Sequence, residues 1–291
     1  MTAVEQIVLG GDGVEMVLLP EIGARIHRLR VDGVDLLRTP DDPATHRDDP
    51  FFWGAYLMAP WCNRAPAQLF DAAGRTVRLA PNFPDGSAIH GLVHARAWET
   101  RADGSLRIAV ADGEDGWPWA FEVTARPTVT GRTVSLLCEL TNRSGSPMPA
   151  GIGLHPWFVP PLAVGVPAES VYPTNTGSPR TPTPVAGNLD LREPAIPPRG
   201  VDATWSDLVS STIDLAWQQL GLTAQLDVDA TRVCVAVAAP NDLGAVAVEP
   251  QTHGPDGLRR LGAGEPDAMM LLDPATPLRL GLRLAFGPSP G

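Results

Sequence analysis

A chain of 291 residues with a formal net charge of −11 is unsuited to nucleic acid or to an anionic membrane surface, because both need a positive face to displace counterions. Its three cysteines, Cys62, Cys138 and Cys234, are widely spaced with no CxxC pair, so no zinc cluster or dithiol redox motif is encoded and reduced, buried thiols are expected. The opening stretch MTAVEQIVLGGDGVEMVLLP lacks the basic start and apolar core of a secretory leader, and no run of about 18 apolar residues occurs, so a cytoplasmic protein is the expectation.

In chain order, VEMVLLP, RIHRLRV, RTVRLA and SLRIAVAD are short, rich in Val, Ile and Leu, and partly alternating, as strands with one buried face are. FEVTARPTV and TVSLLCELTN, joined by Thr130, Gly131 and Arg132, read as a hairpin. The proline-rich stretch from Pro160 to Gly200 has no periodicity and predicts a long surface excursion or lid over the fold. Thr204 to Leu220, with its centre STIDLAWQQL, carries the one helical periodicity. LTAQLDV and RVCVAVAAP predict a second hairpin, and PLRLGLRLAF a closing strand. With 29 glycines and 31 prolines punctuating short apolar runs, and no internal repeat, the reading is all-β: a large antiparallel β-sandwich forming a single domain over residues 1–291.

Four places offer chemistry. AIHGLVHARAWE sets His90 and His94 four apart, but Gly91 and the preceding turn-forming PNFPDGS remove the helix that a shared metal would require, so no metal is expected. A loop-borne histidine can instead transfer protons near neutrality, or simply be a hydrogen-bonded structural residue. In GLHPWF, Pro156 biases His155 toward extended geometry at a strand end, as a site residue or a buried structural one. AVAVE places Glu249 on the face shared by Ala245 and Ala247; burial there would raise its pKa toward that of a useful base. Asn63 and Arg64 form a donor-rich pair beside Trp61, in which Arg64 cannot act as a base.

Taken in order, Asn63-Arg64, His90-Gly91 with Arg96 and Trp98, GLHPWF, VEPQT and the strand LDPATPLRLGLRL resemble the aldose 1-epimerase (galactose mutarotase) family over about residues 14–286. The resemblance implies the galactose mutarotase-like supersandwich, a small-molecule sugar as substrate, and no metal or organic cofactor. It implies Glu249 as general base and His90 as general acid for opening the ring of a free aldohexose. It gives Arg64 and His155 the sugar hydroxyls or developing charge, and Asn63 the support of Arg64. His94 stands where many relatives carry arginine. Two departures concern substrate: Gln68-Leu69-Phe70 replaces a Gly-Arg-Phe, and the sugar-binding aspartate falls in TWSDLVSS, where Asp207 is the candidate. A hexose-6-phosphate 1-epimerase and a non-catalytic carbohydrate-binding protein are the alternatives, and the protein is expected as a monomer or homodimer.

Overall fold

A computed structural model describes residues 4–176 and 181–288. Two antiparallel sheets dominate it. The larger has eleven strands and runs, in spatial order, Ile7–Gly11, Val14–Leu19, Arg25–Val31, Ala55–Met58, Gly153–Phe158, Val246–Gln251, Cys234–Ala238, Asp202–Leu208, Ala168–Tyr172 and Thr183–Pro184, with Val34–Asp35 paired to Arg25–Val31 off this path. The second has eight: Glu99–Thr100, Leu106–Val110, Phe121–Thr130, Thr133–Asn142, Pro277–Pro288, Leu222–Asp229, Thr212–Trp217 and Ala163–Gly165.

Alternation builds the core between them. Val134, Leu136, Cys138 and Leu140 on one strand and Leu278, Leu280, Leu282 and Leu284 on its neighbour are buried at every second position, as a sheet with one dry face requires. From the larger sheet, Met16, Ile26, Leu154, Pro156 and Phe158 meet Leu136, Leu226 and Leu282 of the smaller across one apolar void of about 50 Å³. The sandwich architecture expected from the sequence is therefore the observed one.

The hairpin of residues 121–142 pairs in continuous register from Phe121 opposite Asn142 to Thr130 opposite Thr133. The strand Pro277–Pro288 lies between Thr133–Asn142 and Leu222–Asp229, in the middle of its sheet.

Three expectations are corrected. Thr204 to Leu220 is not helical: it holds the strands Asp202–Leu208 and Thr212–Trp217 and a single 3₁₀ turn at Gln218–Leu220. Ile213, Leu215 and Trp217 are buried while Asp214 faces solvent, which is a period of two. The second hairpin does not form either, because Leu222–Asp229 belongs to the smaller sheet and Cys234–Ala238 to the larger. The first alternates; the second is buried at four consecutive positions. Cys234–Ala238 pairs instead with Asp202–Leu208 and Val246–Gln251 in the interior of the larger sheet, where both of its faces are covered.

The stretch from Pro160 to Gly200 is no loose excursion, since Ala163–Gly165 pairs into the smaller sheet and Ala168–Tyr172 into the larger; residues 177–180 lie outside the described part. Among the described residues no helix is long and apolar enough to cross a membrane.

Candidate active site

The central strands of the larger sheet carry two kinds of face. Leu154, Pro156 and Phe158 point into the core, so His155 and Trp157 point the other way. The same parity turns Tyr56 and Met58 outward on Ala55–Met58, and Ala247 and Glu249 outward on Val246–Gln251. Register then aligns them: His155 stands opposite Tyr56, and Trp157 opposite Ala247. Glu249 sits on the face of Ala245 and Ala247, with Tyr56 and Trp157, and lines the cavity there.

A short ladder closes one side. Arg64–Ala65 pairs with Ala88–Ile89, and just outside it Asn63 and His90 both adopt left-handed backbones, with φ of 55° and 61°. Gly91 follows at φ 76°, and a Cβ there would lie 1.9 Å from the Ala59 carbonyl oxygen, so only glycine admits this close passage. The His90 N–H donates to the Asn63 carbonyl at 3.0 Å, and the Asn63 N–H donates to His90 Nδ1 at 3.2 Å.

These elements enclose a cavity of about 330 Å³, in the range of small-molecule sites. His155 Nε2 lies 3.2 Å from Glu249 Oε1 on its floor, both side chains nearly inaccessible. His90 meets His155 edge to face at 4.9 Å. Phe51, Phe52, Phe83 and Trp157 form an aromatic wall. Opposite, Arg64 donates to Asp85 at 2.6 Å and to the Asn63 side-chain oxygen at 3.4 Å, while Asp202 lies 3.8 Å from it. Asn175 donates to Asp202 at 2.7 Å and accepts from Thr204 at 2.7 Å.

Electrostatics follow from burial. Glu249 is pushed well above the ordinary carboxylate range by desolvation first and by Asp202 second, with Arg64 opposing. His155 is pulled down to about 3, chiefly by burial. His90 falls well below the usual imidazole value, first by burial and then by His155, His94 and Arg64. The unliganded site thus favours neutral groups.

His90, His155 and Glu249 bring ligand atoms within 4.8 Å of one another, so a metal reading needs testing. The donor set does not fit. Metal-bound histidines give their second N–H to an acceptor. Here His90 Nδ1 accepts from a backbone N–H, which leaves its proton on Nε2 and no free lone pair for a cation.

Of the residues singled out in the sequence, Asn63, Arg64, His90, His155 and Glu249 all line this cavity, and Asp207 does not. Asp207 is exposed at a left-handed break, φ 53°, near the end of its strand. The aspartate in the cavity is Asp202, five residues earlier. Asn175, Tyr56 and the aromatic wall were also not found from sequence. Parity along Asp202–Leu208 was the available signal, since Asp202 shares its side with Thr204 and both bond Asn175.

His94 is buried beside the cavity, against Phe51 at 5.0 Å and Tyr56 at 5.7 Å, and lines a neighbouring pocket with Trp61 and Leu92. Arg96 is committed to Glu114 and Asp115, and buried Trp98 donates to the Val93 carbonyl at 3.1 Å.

The outer face of this strand-built sandwich gathers two carboxylates, Glu249 and Asp202, two imidazoles and an arginine around one cavity. The chain belongs to the aldose 1-epimerase family, whose sequence profile matches residues 5–205. Among solved structures it is similar to a galactose mutarotase-like protein from Clostridium acetobutylicum, at 16% identity and TM-score 0.83, covering 98% of this chain and 96% of that one. It is also similar to a galactose 1-epimerase from Lactobacillus acidophilus, at 17% identity and TM-score 0.81, covering 98% and 95%. An aldose epimerase homologue from C. elegans gives 18% and 0.79, covering 99% and 100%. No curated protein matches the sequence significantly.

Proposed function

We propose that the protein interconverts the anomers of a neutral, free aldose by acid-base opening of the sugar ring. The observation that carries this reading is the buried His155–Glu249 pair, 3.2 Å apart on the floor of the cavity. Two groups that close share their protons as a unit. With one proton between them they exist as carboxylate and imidazolium, or as carboxylic acid and imidazole, at the same total charge.

Ring opening converts the first form into the second. Glu249 takes the O1 hydroxyl proton, the O1 electrons form the C1 carbonyl, the C1–O5 bond breaks, and His155 gives its proton to O5. Rotation about C1–C2 and closure on the opposite carbonyl face return the proton by the reverse route. Burial favours the carboxylic acid and imidazole in the empty site, so the carboxylate and imidazolium that open the ring form once the bound sugar's hydroxyls, with Arg64 beside Glu249, stabilise them, and the proton transfer returns the pair to its favoured form. Positioned groups of this kind contribute roughly 10²- to 10⁴-fold each.

This reading moves the acid from His90, where the resemblance put it, to His155. His90 Nδ1 is already an acceptor for a backbone N–H, so becoming an imidazolium would break that bond. What His90 offers is a fixed Nε2–H donor for a sugar oxygen. Arg64, with Asn63 behind it, and Asp202 in place of Asp207 hold hydroxyls on the far side.

Charge sets the substrate class. Among the described lining residues Arg64 is the one cation, and it is engaged by Asp85 with Asp202 close by. A phosphosugar needs arginines free to grip phosphate and would meet these carboxylates instead.

The test is the optical rotation of freshly dissolved α-glucose, α-galactose and glucose 6-phosphate at a pH where spontaneous change is slow. Neutral sugars should be accelerated and the phosphate should not. Asp202→Ala should raise KM about tenfold, the worth of one charge-assisted hydrogen bond, while Asp207→Ala leaves it unchanged. No acceleration of any neutral aldose, or equal effects of the two aspartate variants, would contradict the assignment.

A further inference from the structure

Arg25 is a buried charge to which the acid-base reading gives no task. It is fully inaccessible at the start of the strand Arg25–Val31. Among the described residues no carboxylate pairs with it: the guanidinium donates to the backbone carbonyls of Trp53 at 2.7 Å, Pro50 at 2.6 Å and His94 at 3.2 Å, and its Nε has no partner. A buried guanidinium with no carboxylate in contact, Asp49 acting on it only at longer range, is costly, and a fold that merely needed those loops tied could use an uncharged donor. What the charge faces is an aromatic ring. Its guanidinium carbon lies 4.7 Å from the centre of Tyr56. The Tyr56 ring in turn stacks on the His155 imidazole, 4.7 Å between centres and 24° between planes. The Tyr56 hydroxyl has no hydrogen-bond partner, so the ring is the part in use.

We propose that Arg25 is a positioning residue for His155: it grips the Tyr56 ring, and that ring holds the imidazole plane at the angle from which Nε2 meets Glu249 and a bound sugar. The inference rests on the acid-base reading above. Cation and ring attract most strongly in a site shielded from water, as this one is. The charge also acts on the proton, because a cation behind Tyr56 disfavours imidazolium at His155 and speeds its departure toward O5. The other groups around the imidazole are Glu249, His90, His94 and Trp157, with Arg64 and Asp202 across the cavity.

Arg25→Met should lower kcat by roughly 10- to 100-fold, the cost of a misaimed reacting group, with KM within threefold. Arg25→Lys keeps a cation over the ring but loses the fork, and should recover most of that loss in kcat while remaining less heat-stable. A purely structural Arg25 gives equal kcat in the two variants, which overturns the proposal.

A second readout needs no activity. In the ligand-free protein the Hε1 proton signal of His155 should be displaced upfield by the ring current of Tyr56, and Arg25→Met should move it back. An unmoved signal in a folded variant, or a wild-type signal without the displacement, also overturns it. If wild-type protein shows the displaced signal but accelerates no aldose, the acid-base reading fails while the stack stands.

Discussion

Glu249→Gln is expected to lower kcat by about 10³-fold with sugar affinity within a few-fold, because the amide keeps the shape and hydrogen-bonding reach of the side chain but cannot accept the O1 proton. His155→Asn should match it, since it removes the other half of the proton-sharing pair. His90→Asn should cost about tenfold in kcat/KM, as the loss of one buried donor does. Steady-state rates of the three variants separate the roles: a His90 variant more damaged than the His155 variant returns the acid to His90. Stability gives an independent check with a definite sign. Glu249 binds its proton more tightly folded than unfolded, so its contribution is intact below its unfolded pKa of about 4.3 and is lost as pH rises through the raised folded value. Glu249→Gln removes that loss. The variant should therefore melt above the wild type, by a margin that widens as pH rises from 5 to 8, and a margin that shrinks over that range would show that the carboxyl is not held neutral.

The strands that were legible in the sequence are those with one wet face. Thr133–Asn142 and Pro277–Pro288 alternate over their whole length, and a period of two marks a strand with one face covered and the other open. Cys234–Ala238 was mispaired because both of its faces are covered, which erases alternation and leaves only a short neighbouring run to suggest a hairpin. The false helix arose where Thr212–Trp217 meets the 3₁₀ turn at Gln218–Leu220, since Ile213, Trp217 and Leu220, spaced four and three apart, imitate helical spacing. For the site, His90, His155 and Glu249 stood out because each is a titratable residue beside glycine or proline, although His155 and Glu249 lie inside their strands and not at the strand ends that the prolines suggested. Asp202 did not, because nothing in GVDATW distinguishes it from a solvated acid until strand parity and Asn175 turn it inward. Arg25 was silent for the same reason: its partners are backbone carbonyls and a ring, which leave no pattern in a sequence.

Acid should unfold this protein early. All six histidines, His27, His46, His90, His94, His155 and His253, are buried. Burial is the leading cause of every shift, and it pulls His27 and His253 down to about 4, His94 and His155 to about 3, His46 to about 2, and His90 well below its usual value. His27 Nδ1 and His46 Nε2 even share one hydrogen bond at 2.9 Å, which a second proton would break. A histidine depressed in the folded state supports folding above its unfolded pKa of about 6.5 and withdraws that support as pH falls toward the folded value. Each therefore weakens folding as pH falls below about 6.5, and the six act in the same direction against a typical domain stability of about 5–15 kcal/mol. Glu249 works in the opposite direction, but it is one group against six and gives nothing further below its unfolded pKa. The tryptophan fluorescence and far-ultraviolet circular dichroism of the eight-tryptophan chain should thus collapse together between about pH 6 and 4.5. The slope should report uptake of at least three protons, steeper than surface carboxylates alone produce. A chain that keeps its tertiary signal at pH 3.5 would show that the imidazoles titrate near their ordinary value inside the fold, and the neutral pair at His155 and Glu249 would lose its physical basis with them.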